Sequence, residues 1–340
     1  MHKTLKLLFE GVYDPESDLH AFLGMPHIIQ KIWVMIKCSW KSHIKLPMIY
    51  QPAHYTEGTQ GTVTASEVGF FWQRRLVSPS TPFPQPTNIN INMMPFLASR
   101  NFEETQLPDY IKPYAKMIRS VILCACGYNN VNRSKVEGKI FFLTIQESWV
   151  EDNTSQRRPG LHTDNPGPII INKSCRETTT KAVSSCNEGS GSLNYVLCDH
   201  DWGIGVLLNE SNEEGGIYLM SNVENSCRVW DCKIKAHSDG EETISSFGDI
   251  EHLRPFLPED NAVILKANYL CWITDRTPHE SLPLNKRQFR QFFRVVTSEV
   301  SLWFTDDNTE NPNGVKPDSR ITKIIKGSKF NPKGMEILEQ

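Results

Sequence analysis

The chain reads as a mainly β protein with flanking helices, and three features predict that class. From Lys139 onward, apolar and polar residues alternate in short runs separated by turn residues, the mark of strands that bury one face. Apolar residues at helical spacing stand out only earlier, in Ile28 to Trp40 and Pro108 to Cys126. No internal repeat competes with this pattern, so the short strands are expected to close into a sandwich or barrel.

Taken in order, from Ile28 the residues Ile29, Ile32, Trp33, Ile36 and Trp40 form a stripe thickened by Val34 and Met35, with Lys31, Lys37 and Lys41 around the rest of the helix. A basic amphipathic helix can lie on a membrane surface, but the thick stripe favours packing on a core. Thr62 to Arg75 alternates and ends in Phe70, Phe71 and Trp72, a strand closed by the proline-rich loop from Ser78 to Pro86. Tyr110, Ile111, Tyr114, Met117, Ile118 and Ile122 set a second helix against a sheet. Strands are then expected at Ile140 to Gln146, Leu193 to Leu197, Gly203 to Leu208, Ile217 to Ser221, Cys227 to Ile234, Ala262 to Lys266, Tyr269 to Ile273 and Phe289 to Phe304.

Two stretches depart from the β pattern. Lys173 to Ser192 is a polar loop, read either as a flap over a site or as a surface insertion. After Phe304 the chain is first acidic, then basic through Lys316, Arg320, Lys323, Lys326, Lys329 and Lys333. The basic part reads as a solvated face or tail.

With 340 residues, 39% hydrophobic and 22% charged, the chain can build one large or two ordinary domains. A net charge of -3 and a pI near 6.4 argue against a nucleic-acid partner. Lys3, Lys6 and Glu10 interrupt the first apolar run, so neither a signal peptide nor a membrane span is expected and the localisation is read as cytoplasmic. Nine cysteines without a CxxC pair fit a reduced compartment rather than a zinc site.

The candidate chemistry lies in Arg157-Arg158-Pro159-Gly160-Leu161-His162-Thr163-Asp164, read with Thr277-Pro278-His279-Glu280-Ser281. His162, Asp164 and His279 supply two imidazoles and a carboxylate, the ligand set of a facial triad on non-heme Fe(II). A second pair, His237 and Asp239, competes with the first. It stands only 42 residues before His279, against 117 for His162. The strands and turns of a jelly roll between such a pair and its distal His need about 50 residues, which selects His162 and Asp164. His200, between Asp199 and Asp201, reads as a hydrogen-bonded surface side chain. Cysteine nucleophiles and a serine triad at Ser281 have no supporting elbow or helix entry.

These residues, with Gly215-Gly216-Ile217-Tyr218-Leu219, the strand from Ala262 to Lys266 and an arginine-bearing strand after His279, resemble the non-heme Fe(II)- and 2-oxoglutarate-dependent dioxygenase superfamily over roughly Lys139 to Trp303. The resemblance implies a double-stranded β-helix (jelly-roll, cupin-like) core at 139–304 containing the 173–192 loop. Helical and strand supports at 1–138 and an extension at 305–340 would flank it. It implies Fe(II) on His162, Asp164 and His279, with 2-oxoglutarate and O2 as cosubstrates. In that superfamily an arginine or lysine after the distal His commonly pairs with the far carboxylate of 2-oxoglutarate, and Arg287, Arg290 and Arg294 are the candidates.

Strand alternation puts Arg290, Phe292 and Arg294 on one face and Phe289, Gln291 and Phe293 on the other. Arg290, at the superfamily's usual offset from the distal His, is the first choice for the cosubstrate. Arg294 is expected to help it or to hold an anionic group of the substrate. Arg157 and Arg158 are read either as substrate contacts or as surface partners of Glu151 and Asp152. Trp202, Trp230, Tyr218, Tyr269 and Trp272 are pocket candidates or core. The expected reaction is oxidation of an unactivated C–H of a small molecule, such as an amino acid or specialised metabolite. A protein side-chain hydroxylase and a non-catalytic cupin-like binding module are the alternatives, and the oligomeric state stays open.

Overall fold

The computed structural model describes residues 82–127, 132–165, 169–172, 195–198, 200–209, 212–230, 248–257, 259, 262–297, 299–331 and 335–338. The helix expected at 28–40, the strand at 62–75, the loop at 173–192 and the rival pair His237 and Asp239 lie outside the described residues.

The described chain is mainly β, and its largest sheet is antiparallel. It runs in the order β1 (Asn90–Ala98), β2 (Lys139–Val150), β12 (Gln288–Val296), β7 (Ile217–Ser221), β10 (Cys271–Ile273). Pro95 sits in β1, at the sheet edge, where a missing N–H is tolerated. One face of this sheet carries Phe141, Leu143, Ile145, Phe293 and Val295. These pack with Met117, Ile118, Val121 and Ile122 of helix α1 (Ala115–Ala125). Leu219, Phe292 and Val296 stand on the other face.

That second face looks toward a small antiparallel sheet of β11 (His279–Ser281), β8 (Cys227–Trp230) and β9 (Ala262–Ile264). Cys227 and Val229 of β8 share a core cluster with Leu219 and Phe292. A further sheet joins β13 (Leu302–Phe304), β14 (Lys323–Lys326), β15 (Glu336–Leu338), β3 (Ile169–Asn172) and β4 (Tyr195–Cys198). The short hairpin β5 (Val206–Asn209) and β6 (Asn212–Glu214) completes the described strands.

Several expectations change in detail. The helix expected at 108–126 begins as a 3-10 turn over Asp109–Tyr114 and becomes α-helical from Ala115. Pro113, inside the first turn, lacks an N–H and disfavours α geometry in the residue before it. The single strand expected from Phe289 to Phe304 is two strands, because Thr297 N bonds Gly216 O on the large sheet whereas Ser301 N bonds Asp201 O beyond it. The basic C-terminal part is not a free tail: β14 and β15 close onto β13 and β3 around buried Ile325 and Met335. No described helix is long and apolar enough to cross a membrane.

Candidate functional site

The site begins with backbone pairing. His162 N donates to His279 O at 3.0 Å and His279 N donates to His162 O at 2.9 Å, making the two residues register partners. On the other side of the 160–165 segment, Thr163 N bonds Gly248 O and Ile250 N bonds Leu161 O. Gly160 holds φ at +80°, a conformation that disfavours any side chain. Its carbonyl lies 2.7 Å from His162 Nδ1, and the Thr277 carbonyl lies 2.9 Å from His279 Nδ1. A carbonyl only accepts, so each Nδ1 carries a hydrogen and each Nε2 is the ring nitrogen left for another partner. The ring centroids are 4.4 Å apart.

Asp164 completes the trio. Its Oδ2 is 4.0 Å from His279 Nε2, and both of its oxygens accept from Arg294 Nη1, at 3.2 and 3.4 Å. Burial pushes the Asp164 carboxyl up, but Arg294, His279 and His162 outweigh it and hold the group well below the usual carboxylate range. Burial and the neighbouring His279 keep the His162 imidazole neutral far below its ordinary value. The donor set is therefore two imidazoles and one carboxylate anion, each imidazole oriented by an outer carbonyl as metal-bound histidines commonly are.

The spacing is more open than the chemistry. Among the described residues, no group of three His, Cys, Asp or Glu side chains is drawn together closely enough to hold a metal ion. Two ligands at right angles on one first-row ion stand about 3 Å apart, roughly an ångström closer than Asp164 Oδ2 and His279 Nε2 at 4.0 Å. The residue types and the Nδ1 contacts suit a divalent metal, whereas the spacing does not, and the carboxylate has lone pairs enough for a metal and Arg294 together.

The strand β12 places its arginines as alternation requires. Arg290 and Arg294 are buried and, with Phe292, face a cavity of about 300 Å³ between the large and small sheets. Gln291 turns the other way, to Tyr114 and Glu147. Arg290 Nε donates to Ser221 Oγ at 3.1 Å and Nη1 to Ser281 Oγ at 3.3 Å. Burial lowers its pKa to about 10, which leaves it a cation at neutral pH without a carboxylate partner among the described residues. Arg287 is exposed and pairs with Glu151, away from the cavity. Arg294 faces inward, but its guanidinium is committed to Asp164.

The cavity also holds residues that the sequence assigned elsewhere. His200 is buried at 3% exposure and lines the cavity, contrary to the surface reading, since β13 and the Trp202 turn cover it with Phe304 and Trp202. Lys329 reaches in from the basic segment and stands 4.1 Å from the Trp202 ring centroid. Arg157 lines the cavity over Phe292 and donates to Gln146 Oε1, rather than pairing with Glu151 or Asp152. Arg158 also borders it and pairs with Asp249 at 3.6 Å. Of the aromatic candidates, Trp202 lines the cavity, Tyr218, Trp230 and Trp272 are core, and Tyr269 is exposed. Cys227 lies on the wall with its thiol pushed up to about 12 by burial, so it is no nucleophile. The alternation in 286–294 and the substrate-contact and pocket readings of Arg157 and Trp202 pointed inward from sequence; Lys329 and His200 themselves carried no comparable signal.

Set against known proteins, the chain matches no family model, no curated protein and no solved structure.

Proposed function

We propose that the chain is an Fe(II)- and 2-oxoglutarate-dependent oxygenase with a double-stranded β-helix core, oxidising an unactivated C–H of a small molecule. One observation carries this reading. Two imidazoles that face each other across a strand pair have their Nδ1 atoms fixed by backbone carbonyls, and an ionised Asp164 lies beside them at the wall of a cavity. His162, Asp164 and His279 would hold the iron, which when bound supplies the oxygen activation that couples 2-oxoglutarate decarboxylation to C–H oxidation.

The chain's own contributions follow from its geometry. Arg290, held in place by Ser221 and Ser281, presents a buried guanidinium fork suited to the far carboxylate of 2-oxoglutarate. Arg294, whose Nη2 donates to Thr144 Oγ1 at 3.5 Å, orients Asp164 through Nη1. Phe292, Leu219 and Trp202 line the cavity with apolar surface that keeps water from the reacting end. A cavity of about 300 Å³ is the size of a small-molecule site, and this favours a small substrate over a protein side chain.

The test is iron content and turnover. Protein reconstituted anaerobically with Fe(II) should bind about one ion per chain and convert 2-oxoglutarate to succinate, and His162→Ala or Asp164→Ala should abolish both. Stoichiometric iron without any turnover would favour the binding-module alternative; turnover retained in both variants would sink the ligand assignment.

A further inference from the structure

The cavity is richer in positive charge than a metal and one cosubstrate require. Arg157, Arg158, Arg290, Arg294 and Lys329 line it, against Asp164 and Asp307. Arg294 is spent on Asp164 and Arg158 on Asp249. Asp307 accepts from Ser328 Oγ at 2.7 Å and from the backbone N of Lys329 at 2.6 Å, so its hydrogen bonds go to the chain that carries Lys329, and it acts on the ammonium only through space. Arg290 remains for the far carboxylate of 2-oxoglutarate on the reading above, on which this inference rests. Arg157 and Lys329 are then left over.

Neither has an ion pair among the described residues. Arg157 has one neutral acceptor, Gln146 Oε1 at 3.2 Å, and its guanidinium lies 5.1 Å from the Phe292 ring centroid. Lys329 has the Trp202 face at 4.1 Å and the Phe330 ring at 5.1 Å. Burial, with the neighbouring cations, lowers Arg157 to about 9 and Lys329 to about 8. Cations that line one confined cavity repel one another, and a bound anion relieves that repulsion.

A second, independent observation points to the same wall. His200 is 3% exposed, lines the cavity, and neither ring nitrogen has a hydrogen-bond partner among the described residues. It packs on Trp202, the same indole that Lys329 covers. A buried imidazole with both nitrogens unpaired is costly, and its place beside Lys329 suits it to a polar group on a ligand that the ammonium also holds.

We propose that the substrate is a small carboxylic acid whose carboxylate sits between Arg157 and Lys329, with the His200 imidazole beside it. A guanidinium fork and an ammonium suit the two oxygens of one carboxylate. This second anion site is separate from Arg290, so the acid and 2-oxoglutarate occupy the cavity together.

The experiment is calorimetric titration of the full chain with the twenty protein amino acids and simple monocarboxylic acids, each beside its carboxamide. Titrations are run on metal-free protein, and again with Mn(II) and saturating 2-oxoglutarate. At least one acid should bind at least about tenfold more tightly than its amide, the factor that one lost charge-assisted hydrogen bond gives. Lys329→Met and Arg157→Met should each weaken that acid by a similar factor while leaving 2-oxoglutarate binding within about threefold. Arg157→Lys, which keeps the charge, should recover part of the loss. Arg290→Ala should do the reverse, weakening 2-oxoglutarate and sparing the acid.

No acid-over-amide preference across the panel overturns the proposal. So does a Lys329→Met variant that weakens 2-oxoglutarate as much as the acid, since Lys329 would then belong to the cosubstrate. If no metal-loaded form binds 2-oxoglutarate, the oxygenase reading falls on its own, and the acid-against-amide comparison in metal-free protein still decides the anion site.

Discussion

His162 and His279 exchange both of their backbone hydrogen bonds, at 3.0 and 2.9 Å, although 117 residues separate them in the chain. Such a directly hydrogen-bonded antiparallel pair sends both side chains to the same side of the sheet. Each ring is then fixed by a carbonyl two residues earlier in the chain. Replacing His279 by Ala removes one imidazole and leaves the pairing intact, so folding should change by no more than about 1 kcal/mol. Divalent metal affinity should fall at least about a hundredfold. Equilibrium dialysis against Fe(II) or Mn(II), beside urea unfolding of the same variant, checks both halves. Unchanged metal affinity would remove His279 from the ligand set.

Arg290 and Arg294 lie on one strand face but have different partners, and their variants should separate. Among the described residues Arg290 donates only to two serine hydroxyls, so Arg290→Ala should raise the 2-oxoglutarate concentration needed for half-saturation about a hundredfold or more, because the buried carboxylate loses its charged partner. Arg294→Ala instead frees Asp164. It should weaken metal about tenfold to a hundredfold as an outer partner does, with 2-oxoglutarate affinity at saturating metal within a few-fold. Titrations with each ligand in both variants decide the assignment. The reverse pattern would exchange the two roles.

How far the sequence carried the site can be traced in these strands. Period-2 alternation survives wherever a strand has a buried face, so β2, β7 and β12 were legible and the orientation of Arg290, Phe292 and Arg294 came with them. The pairing of His162 with Asp249 and His279 was not legible, since one-residue bridges leave no periodicity. The strand β11 is only His279–Ser281, too short for a pattern. Lys329 was hidden by its neighbours: the segment around it is polar and basic, and the short strands β14 and β15 bury little beyond Ile325 and Met335. His200 misled for the opposite reason. Acidic neighbours suggested water, whereas the fold turns Asp201 aside to take Asn165 Nδ2 and buries the ring against Trp202.

Glu280, between the candidate ligand His279 and Ser281, points away from the cavity into an ion network. Its oxygens meet Arg254 at 2.7 and 3.2 Å and Arg228 at 3.7 Å. Arg254 also pairs with Glu251, whose second oxygen accepts from Leu161 N at 2.8 Å. Arg254 lowers the Glu251 pKa to about 2. The chain of contacts ties β11 to the 160–165 segment and so braces the two histidines. Glu280→Gln leaves a cation underpaired at a site where Arg254 is a third exposed, so the expected cost is about 1 to 3 kcal/mol rather than the larger figure for a fully buried pair. Urea unfolding should show it, together with weaker metal binding. A loss of stability with unchanged metal affinity would mean that the network braces the fold but not the site.

His200 gives the protein a pH signature. Burial, then the nearby Lys329, lowers its pKa from 6.5 to about 3. The unfolded chain takes up a proton near pH 6.5 that the folded chain refuses until about pH 3. Stability from the neutral ring is therefore complete above 6.5 and is lost progressively as pH falls through that window. Between pH 7 and pH 5 the loss assigned to this one group is on the order of 1 to 2 kcal/mol. His200→Phe, which keeps an aromatic ring against Trp202 and Phe304, should remove that part of the slope. Urea unfolding of both proteins at pH 7 and pH 5 measures the difference. Equal slopes would mean that His200 is protonated in the folded protein at pH 5, and that its ring nitrogens reach water through the cavity.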